Sequence, residues 1–343
     1  MDIDQSEPSP KSGCANCGHL VIAQGGPTPL CQECREKFIK FPIPLWIKIF
    51  GGAIAVIFIF SMSNLPKSFS LAMHLEKGKK AEKANNYLTA QREFEIVIAK
   101  LPNNIEAQAH LMLAAFYNQD ISTVAKISSG IVGKEIEDND LFADLQNMLT
   151  KADDYVANDS LMALSEKYKS RDTIPDNELI PFLARNPEDV YAKANYASLL
   201  FNRSDYIASD SMLSSILLLK PDYMPAIVIK ATIKRELNQM DSSFYYCDKA
   251  LAINHENTYI LSSKARTLLK QHKDGEALKL ASTSYKMNEK DYYSLATMAL
   301  VYHYNNKLKE RDEMIKKAAS DSVATSYMQY PLDVISGQQK FRN

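Results

Sequence analysis

Glycine is scarce in this chain, cysteine is almost confined to one short segment, and neither sign of charge is in excess. Only 11 of the 343 residues are glycine, which leaves few of the flexible turn positions that an all-β fold or a nucleotide-binding loop requires. Lysine and arginine, 40 together, nearly balance 41 aspartates and glutamates, so no overall field attracts nucleic acid. With 46% hydrophobic residues, the chain can form a packed and mainly helical core.

Four of the five cysteines form two C-x-x-C pairs separated by 13 residues: Cys14, Cys17, Cys31 and Cys34. Four thiolates at about 2.3 Å suit a tetrahedral zinc ion. The intervening sequence, GHLVIAQGGPTPL, predicts no more than a hairpin with a turn at 25–27, so a metal would supply the missing stability. The segment resembles a zinc ribbon or knuckle, which implies structural zinc held by all four cysteines. Two disulfides, a redox C-x-x-C, or His19 in place of one cysteine are the alternatives.

A strongly apolar run follows the cysteines. Residues 45–62, LWIKIFGGAIAVIFIFSM, contain Lys48 as their single charge. Eighteen residues lie within the range of about 17–25 that spans a hydrocarbon core as a helix. Leu, Ile, Val and Phe side chains at about −0.3 to −0.6 kcal/mol each outweigh one lysine at about +2.5 to +3.5 kcal/mol. The run predicts a transmembrane helix within 43–64, with the lipid bilayer as a partner through 45–62; a buried core helix is the alternative.

After the apolar run, the sequence shows a repeat with a period of 34 residues. Pro187, Pro221, His255 and Glu289 occupy equivalent positions, each after an apolar helix end. Small residues recur at two further positions of the same period, where two antiparallel helices approach most closely. They are Ala197, Ala231, Ala265 and Ala299 at the eighth position, and Ser209, Ser243 and Ala277 at the twentieth.

These residues resemble the tetratricopeptide repeat (TPR), a pair of antiparallel helices with small residues at those two positions and proline near the end. The copy over 71–104 matches best, with Gly78, Tyr87, Ala90, Phe94 and Pro102. The resemblance implies an all-α, TPR-type α–α superhelix of about six to seven helix pairs. An irregular helical bundle is the alternative.

The predicted organisation therefore has a small zinc-ribbon-like knuckle and a single transmembrane helix before the repeats. The boundaries are a disordered tail over 1–12, a four-cysteine zinc knuckle over 13–40, the transmembrane helix over 43–64, repeats over 71–138, a degenerate repeat with an insertion over 139–189, four repeats over 190–325, and a C-terminal tail over 326–343.

In the TPR family, the first helix of each repeat lines a concave surface that holds a protein or peptide partner. The resemblance implies that this surface presents tyrosine, arginine and polar side chains suited to anchoring a polypeptide. They are Tyr191, Ser198, Phe201, Asn202, Arg235, Tyr259, Arg266, Lys270, Tyr293 and His303. Packing between helices is the alternative role for each tyrosine.

No catalytic motif accompanies these features. The histidines lack the H-E-x-x-H spacing, and Gly130 with Gly133 and Lys134 does not match a phosphate-binding loop. The sequence predicts a bacterial-type, membrane-anchored scaffold that binds a protein or peptide and is not an enzyme. No nucleic acid or small-molecule substrate is expected.

Two other functions stay open, a transmembrane regulator that couples the repeats to the zinc module and a thiol-disulfide enzyme. Because thiolates stay reduced in the cytosol, we expect the amino terminus there and the repeats outside the cytoplasm, periplasmic in a Gram-negative cell.

Overall fold

The computed structural model describes residues 13–24, 28–39, 44–171 and 173–342, except the side chains of 39 and 61–68, and every regular element within these ranges is a helix. The predicted tail over 1–12 and the turn at 25–27 lie outside them. The helices are α1 Gln32–Ile39, α2 Leu45–Lys83, α3 Tyr87–Lys100, α4 Ile105–Tyr117, α5 Ile121–Ile131, α6 Asn139–Ala152, α7 Asp159–Lys167, α8 Asp176–Arg185, α9 Val190–Asn202, α10 Tyr206–Leu219, α11 Met224–Glu236, α12 Met240–Ile253, α13 Thr258–Lys270, α14 Asp274–Met287, α15 Tyr292–Tyr304, α16 Leu308–Ala318 and α17 Ser322–Ile335.

The chain divides into two compact units, 1–69 and 70–343, with the division inside α2. In the first unit, α1 begins directly after Cys31, and the described residues before it form no strand, so the predicted hairpin is not observed there. The apolar run forms the first part of α2. Within the described part of the chain, no helix is both long enough and apolar enough to span a membrane, and the predicted transmembrane helix is therefore not confirmed.

The second unit contains helix pairs whose turns repeat the same backbone geometry. Among the described residues, the non-glycine residues with positive φ are Asn85, Gln119, Ser204, Asn238, His272 and Asn306, with φ between 54° and 63°. Each lies in the turn between the two helices of a pair. Successive members are 34 residues apart, except that 85 residues separate Gln119 from Ser204, the sum of one period and the 51 residues over 139–189. The predicted TPR-like helical repeat is confirmed.

The left-handed turn position permits a stabilising substitution. An L-residue with a Cβ pays about 1–2 kcal/mol in this region of φ/ψ space, whereas glycine does not. We expect Ser204→Gly to raise the free energy of unfolding by up to about 1 kcal/mol. The gain is smaller than the strain that is relieved, because glycine also has more conformational entropy in the unfolded chain. Thermal denaturation monitored by circular dichroism measures the change, and a lower melting temperature for Ser204→Gly would contradict it.

The small residues of the repeat pattern lie where the helices cross. Every alanine and serine at the eighth and twentieth positions is completely buried. In two repeats the serine hydroxyl donates to the backbone carbonyl of the paired alanine: Ser209 Oγ to Ala197 O at 2.7 Å, and Ser243 Oγ to Ala231 O at 2.8 Å. The short side chain therefore allows close approach and also satisfies its own buried hydroxyl.

The degenerate segment over 139–189 is helical but does not repeat the TPR pair. Leu141, Leu145 and Met148 of α6 join the apolar core of α4 and α5. Further along, α7 and α8 share a second core with α9, through Leu161, Phe182 and their neighbours. The degenerate segment therefore packs on α4 and α5 of the repeat before it and on α9 of the repeat after it.

The first two repeats also contact the turn that precedes α13, which the sequence did not predict. The His255 backbone N–H donates to Asn85 O at 2.9 Å, and Asn254 Nδ2 donates to Tyr117 O at 3.2 Å. Glu256 accepts hydrogen bonds at 2.7 Å from both the backbone N–H and the hydroxyl of Thr89. Thr89 lies in the first turn of α3, whose own N-cap side chain makes no capping bond, so Glu256 caps this helix from another repeat.

The capping role of Glu256 can be tested against its counterpart in another repeat. Glu256→Ala leaves the first turn of α3 without this acceptor, and we expect a loss of about 1–2 kcal/mol in the free energy of unfolding. Glu188 occupies the same position of the period 68 residues earlier and is exposed. Urea denaturation should show little change for Glu188→Ala, and equal effects of the two substitutions would refute the capping role.

The end of the chain forms one more helix and then reverses direction. The interval 326–343, predicted as a tail, contains most of α17, which packs on α15. The reversal occurs at Gly337, with φ 79°, after which 338–340 are exposed and Phe341 is buried. The last described residues therefore lie against the last repeats.

Candidate functional site

The four cysteines of the two C-x-x-C pairs converge on one point, and we call them the cysteine cluster. Their sulfur atoms all lie within 4.8 Å of one another. Cys14 and Cys17 lie in a tight turn closed by the Gly18 N–H donating to Cys14 O at 2.9 Å, while Cys34 lies in the first turn of α1. The free N–H groups at a helix amino terminus favour a nearby thiolate. The cluster can therefore bind a metal ion.

The local electrostatics agree with a cationic occupant. A hydrogen bond from the Cys31 backbone lowers the pKa of Cys14 to about 6. A hydrogen bond from the His19 backbone also lowers the pKa of Cys17, but the neighbouring cysteine sulfurs outweigh it and raise the value to about 12. Four thiolates so close together repel one another, and a divalent cation removes that cost.

The donor set fits zinc by number, type and spacing. In a tetrahedral ZnS4 site with bonds of about 2.3 Å, the sulfurs are about 3.8 Å apart. The Cys17 and Cys31 sulfurs are 3.5 Å apart, close to that separation. Asn16 Nδ2 also donates to Cys34 Sγ at 3.3 Å, the kind of outer hydrogen bond that orients a metal-bound thiolate.

A second candidate site lies along α9, the first helix of the repeat that follows the degenerate segment. Tyr191, Ser198 and Asn202, all predicted to contact a partner, line one open cavity of about 410 Å³, which we call the α9 cleft. The opposite wall comes from 157–179, including Leu161 and Leu179. The cleft combines apolar walls with hydroxyl and amide groups, the usual composition of a polypeptide-binding groove.

Local hydrogen bonds orient the polar side chains of α9. Asn195 Nδ2 donates to Tyr191 O at 2.9 Å, and Ser198 Oγ donates to Ala194 O at 2.9 Å. Among the described residues, nothing donates to the Asn195 side-chain oxygen or to the Ser198 hydroxyl oxygen, so both can act as acceptors. Phe201, also predicted at this surface, is half-buried, with its ring centroid 5.6 Å from that of Tyr206.

The predicted partner-binding residues beyond α9 mainly make contacts between helices. Arg235 and Arg266 are 3% and 5% exposed, and Tyr293 is 8% exposed. The Arg266 guanidinium lies 4.1 Å from the centroid of the Tyr293 ring, which stacks on Tyr259 at 4.1 Å. A binding role for these residues stays a prediction.

One carboxylate links the cationic side chains of this group. Glu236 accepts from Arg235 Nε at 3.0 Å and from Lys270 Nζ at 3.1 Å. Burial raises the pKa of Glu236, but the two cations outweigh it and hold that pKa below its usual value. His303 is half-buried and its Nδ1 lacks a hydrogen-bond partner among the described residues. Burial, with help from Arg311 and Arg342, lowers the pKa of His303.

Two features of these sites escaped sequence analysis. The second wall of the α9 cleft comes from the degenerate segment, which has no repeat pattern from which its position could be read. The contacts of the buried Phe341 and the half-buried Arg342 with the last repeats depend on a chain reversal, and Gly337 was its only signal in the sequence. Cys247 is fully buried in α12, and burial raises the pKa of its thiol to about 11, as expected for a packing residue.

Comparison with known proteins gives structural likeness at low sequence identity. No family model and no curated protein sequence matches this chain. A tetratricopeptide repeat protein from Parabacteroides merdae is 12% identical with a TM-score of 0.40, covering 77% of this chain and 99% of that one. PilF of Pseudomonas aeruginosa is 11% identical with a TM-score of 0.33, covering 77% and 99%.

YrrB, described as a TPR protein with an unusual peptide-binding site, is 17% identical with a TM-score of 0.32, covering 47% of this chain and 82% of its own. Likeness at this level carries no argument about binding. The TPR-like fold of this chain rests on the 34-residue spacing and on the helix pairs themselves.

Proposed function

We propose that this chain is a non-enzymatic, membrane-anchored scaffold that binds a protein or peptide in the α9 cleft. The observation that carries the proposal is the cavity of about 410 Å³. Its lining includes Tyr191, Ser198 and Asn202 of α9, the last two lying 7 and 11 positions after the first. Tyr191 supplies a large contact area with few rotatable bonds, and the amides supply adaptable hydrogen bonds. Leu161 and Leu179 offer an apolar wall to a side chain of the ligand.

An extended polypeptide suits this lining better than a small metabolite. The cleft is open to solvent, and none of its lining residues is charged. A charged metabolite would find no counter-charge there, whereas a peptide presents apolar side chains and backbone amides in alternation. The scaffold therefore selects its partner by shape and hydrogen bonding.

Filling the cleft should weaken partner binding without disturbing the helix. In Ser198→Arg, a long cationic side chain occupies the cavity, and we expect at least a tenfold loss of affinity for peptides selected from a random library by the intact chain. Ser211→Arg introduces the same side chain at an exposed position of α10 and should bind normally. Fluorescence anisotropy measures both, and equal affinities for the two variants would refute the proposed site.

We propose that residues 45–62 hold the chain in a lipid bilayer. In the described part of this run, Val56, Ile57, Phe58 and Ile59 are each more than 60% exposed, although consecutive helical residues point in different directions. An apolar surface that surrounds a helix in this way needs an apolar environment. The cysteine cluster supports a cytoplasmic amino terminus, since thiolates remain reduced there, with the repeats on the other side.

Membrane attachment and topology can be tested on the whole chain. We expect the chain to resist extraction by alkaline carbonate and the repeats to be cleaved by protease added on the non-cytoplasmic side. Replacing Ile57 and Phe58 with aspartate should release the chain into the soluble fraction. Release of the unaltered chain by carbonate would contradict membrane attachment. Protection of the repeats from the added protease would contradict the proposed topology.

We also propose that zinc occupies the cysteine cluster and stabilises its fold. Cys14, Cys17, Cys31 and Cys34 would hold the ion, which would neutralise their thiolates and supply structural stability but no catalysis. The fit of the four sulfurs to a tetrahedral site supports this assignment.

A further inference from the structure

The last two described residues of the chain, Phe341 and Arg342, bind to the repeats as a pair, which we call the tail anchor. Phe341 is 3% exposed and belongs to an apolar core that includes Leu268 and Val301. Its ring centroid is 5.6 Å from that of Tyr304, and Lys270 Nζ lies 5.5 Å from the Phe341 ring. The receiving surface lies at the carboxyl ends of α13 and α15, the first helices of their repeats.

Arg342 makes polar contacts beside this apolar core. Its Nη1 donates to the backbone carbonyl of Leu269 at 2.8 Å, a carbonyl in the last turn of α13 that also accepts the His272 backbone N–H at 3.0 Å. Its Nη2 donates to Asp274 Oδ2 at 3.0 Å, in a bidentate ion pair. The guanidinium also lies 3.9 Å from the Tyr304 ring centroid. A cation at a helix carboxyl terminus is favourable, and the bidentate geometry requires arginine rather than lysine.

The connection between α17 and the tail anchor makes little contact of its own. Residues 336–340 are all exposed, and the backbone hydrogen bond after the Gly337 turn is Gln339 N–H to Asp333 O at 2.9 Å. The side chains of Phe341 and Arg342 therefore hold this segment on the repeats, and the exposed residues 336–340 connect them to α17. Such a contact gains its strength from a high effective concentration and can be displaced by another polypeptide with the same pair of side chains.

We propose that the carboxyl ends of α13 and α15 form a second docking surface, specific for a partner segment in which an aromatic residue is followed by arginine, and that the tail anchor occupies this surface until the partner displaces it. The apolar core with Tyr304 receives the aromatic ring, and Asp274 with the Leu269 carbonyl receives the guanidinium. This surface extends the proposed binding function and does not depend on the α9 cleft.

The test uses the chain truncated after Gly337 and the labelled peptide SGQQKFRN, the sequence of 336–343. We expect the truncated chain to bind this peptide at least tenfold more tightly than the intact chain does. A peptide with alanine for arginine should bind the truncated chain at least tenfold more weakly. Adding Asp274→Ala to the truncated chain should weaken the original peptide but not the alanine peptide, since the two changes remove the same contact.

Controls separate this surface from the α9 cleft and from simple unfolding. Ser198→Arg in the truncated chain should leave binding of the tail peptide unchanged, so failure at one surface is distinguishable from failure at the other. If truncation unfolds the last repeats, the full-length Arg342→Ala chain is used in place of the truncated chain. This variant should bind the tail peptide more tightly than the unaltered chain does. A folded truncated chain that does not bind the peptide, or equal binding by the intact chain, would overturn the proposal.

Discussion

Cys34→Ser is expected to abolish stable zinc retention and to unfold the segment over 13–39. Serine cannot supply the fourth thiolate, and in small zinc peptides the metal contributes on the order of 10 to 16 kcal/mol. The described part of this segment has few buried apolar groups besides Cys14, Cys31 and Cys34, so little would hold it without the ion. Plasma emission spectrometry should find about one zinc per unaltered chain and far less in the variant.

Cys247→Ala is the matched control for this experiment. It also removes a buried thiol, but one that lies in α12 and outside the cysteine cluster. Its zinc content should equal that of the unaltered chain. Hydrogen exchange over 13–39 should accelerate in Cys34→Ser and not in Cys247→Ala. Full zinc retention by Cys34→Ser, or protected amides without zinc, would contradict a structural metal.

Phe94→Ala is expected to cost about 3–5 kcal/mol in the free energy of unfolding. Phe94 is fully buried, and its ring stacks on His110 with centroids 5.1 Å apart. The ring also lies against Gly78, where an added Cβ would overlap it. We therefore expect Gly78→Ala to cost about 1–3 kcal/mol through overpacking, although alanine favours a helix by about 1 kcal/mol. Urea denaturation measures both.

A second glycine and a double substitution control for helix propensity. An added Cβ at Gly275 in α14 meets no atom within 4 Å, so Gly275→Ala should be neutral or slightly stabilising. Combining Gly78→Ala with the smaller side chain of Phe94→Leu should cost less than the sum of the single changes. Stabilisation by Gly78→Ala equal to that by Gly275→Ala would show that the close contact with Phe94 is absent.

The parts of the fold that follow from local pattern were predicted from the sequence. The 34-residue period, the buried small residues such as Ala265 and Ser243, and the convergence of the two C-x-x-C pairs all depend on residue types at fixed spacing. Such spacing determines which side chains share a helix face, and it therefore carries over directly to the structure.

The features that sequence analysis did not predict depend on contacts between distant segments. Glu256 caps α3 across 167 residues, and no local pattern distinguishes it from the exposed Glu188. Arg266 and Tyr293 were expected on a binding surface, but their mutual contact and the helices around them bury both. The polarity of a side chain in a repeat does not reveal whether a neighbouring helix covers it.

The central claim, that the α9 cleft holds a polypeptide partner, is tested most directly by photocrosslinking in the intact membrane. A photoreactive amino acid at position 198 should give a discrete protein adduct, and the adduct should disappear when a library-selected peptide is added. The same residue at the exposed position 211 of α10 should give none. Identical adducts from both positions, or an adduct at 198 that the peptide does not compete away, would contradict the account.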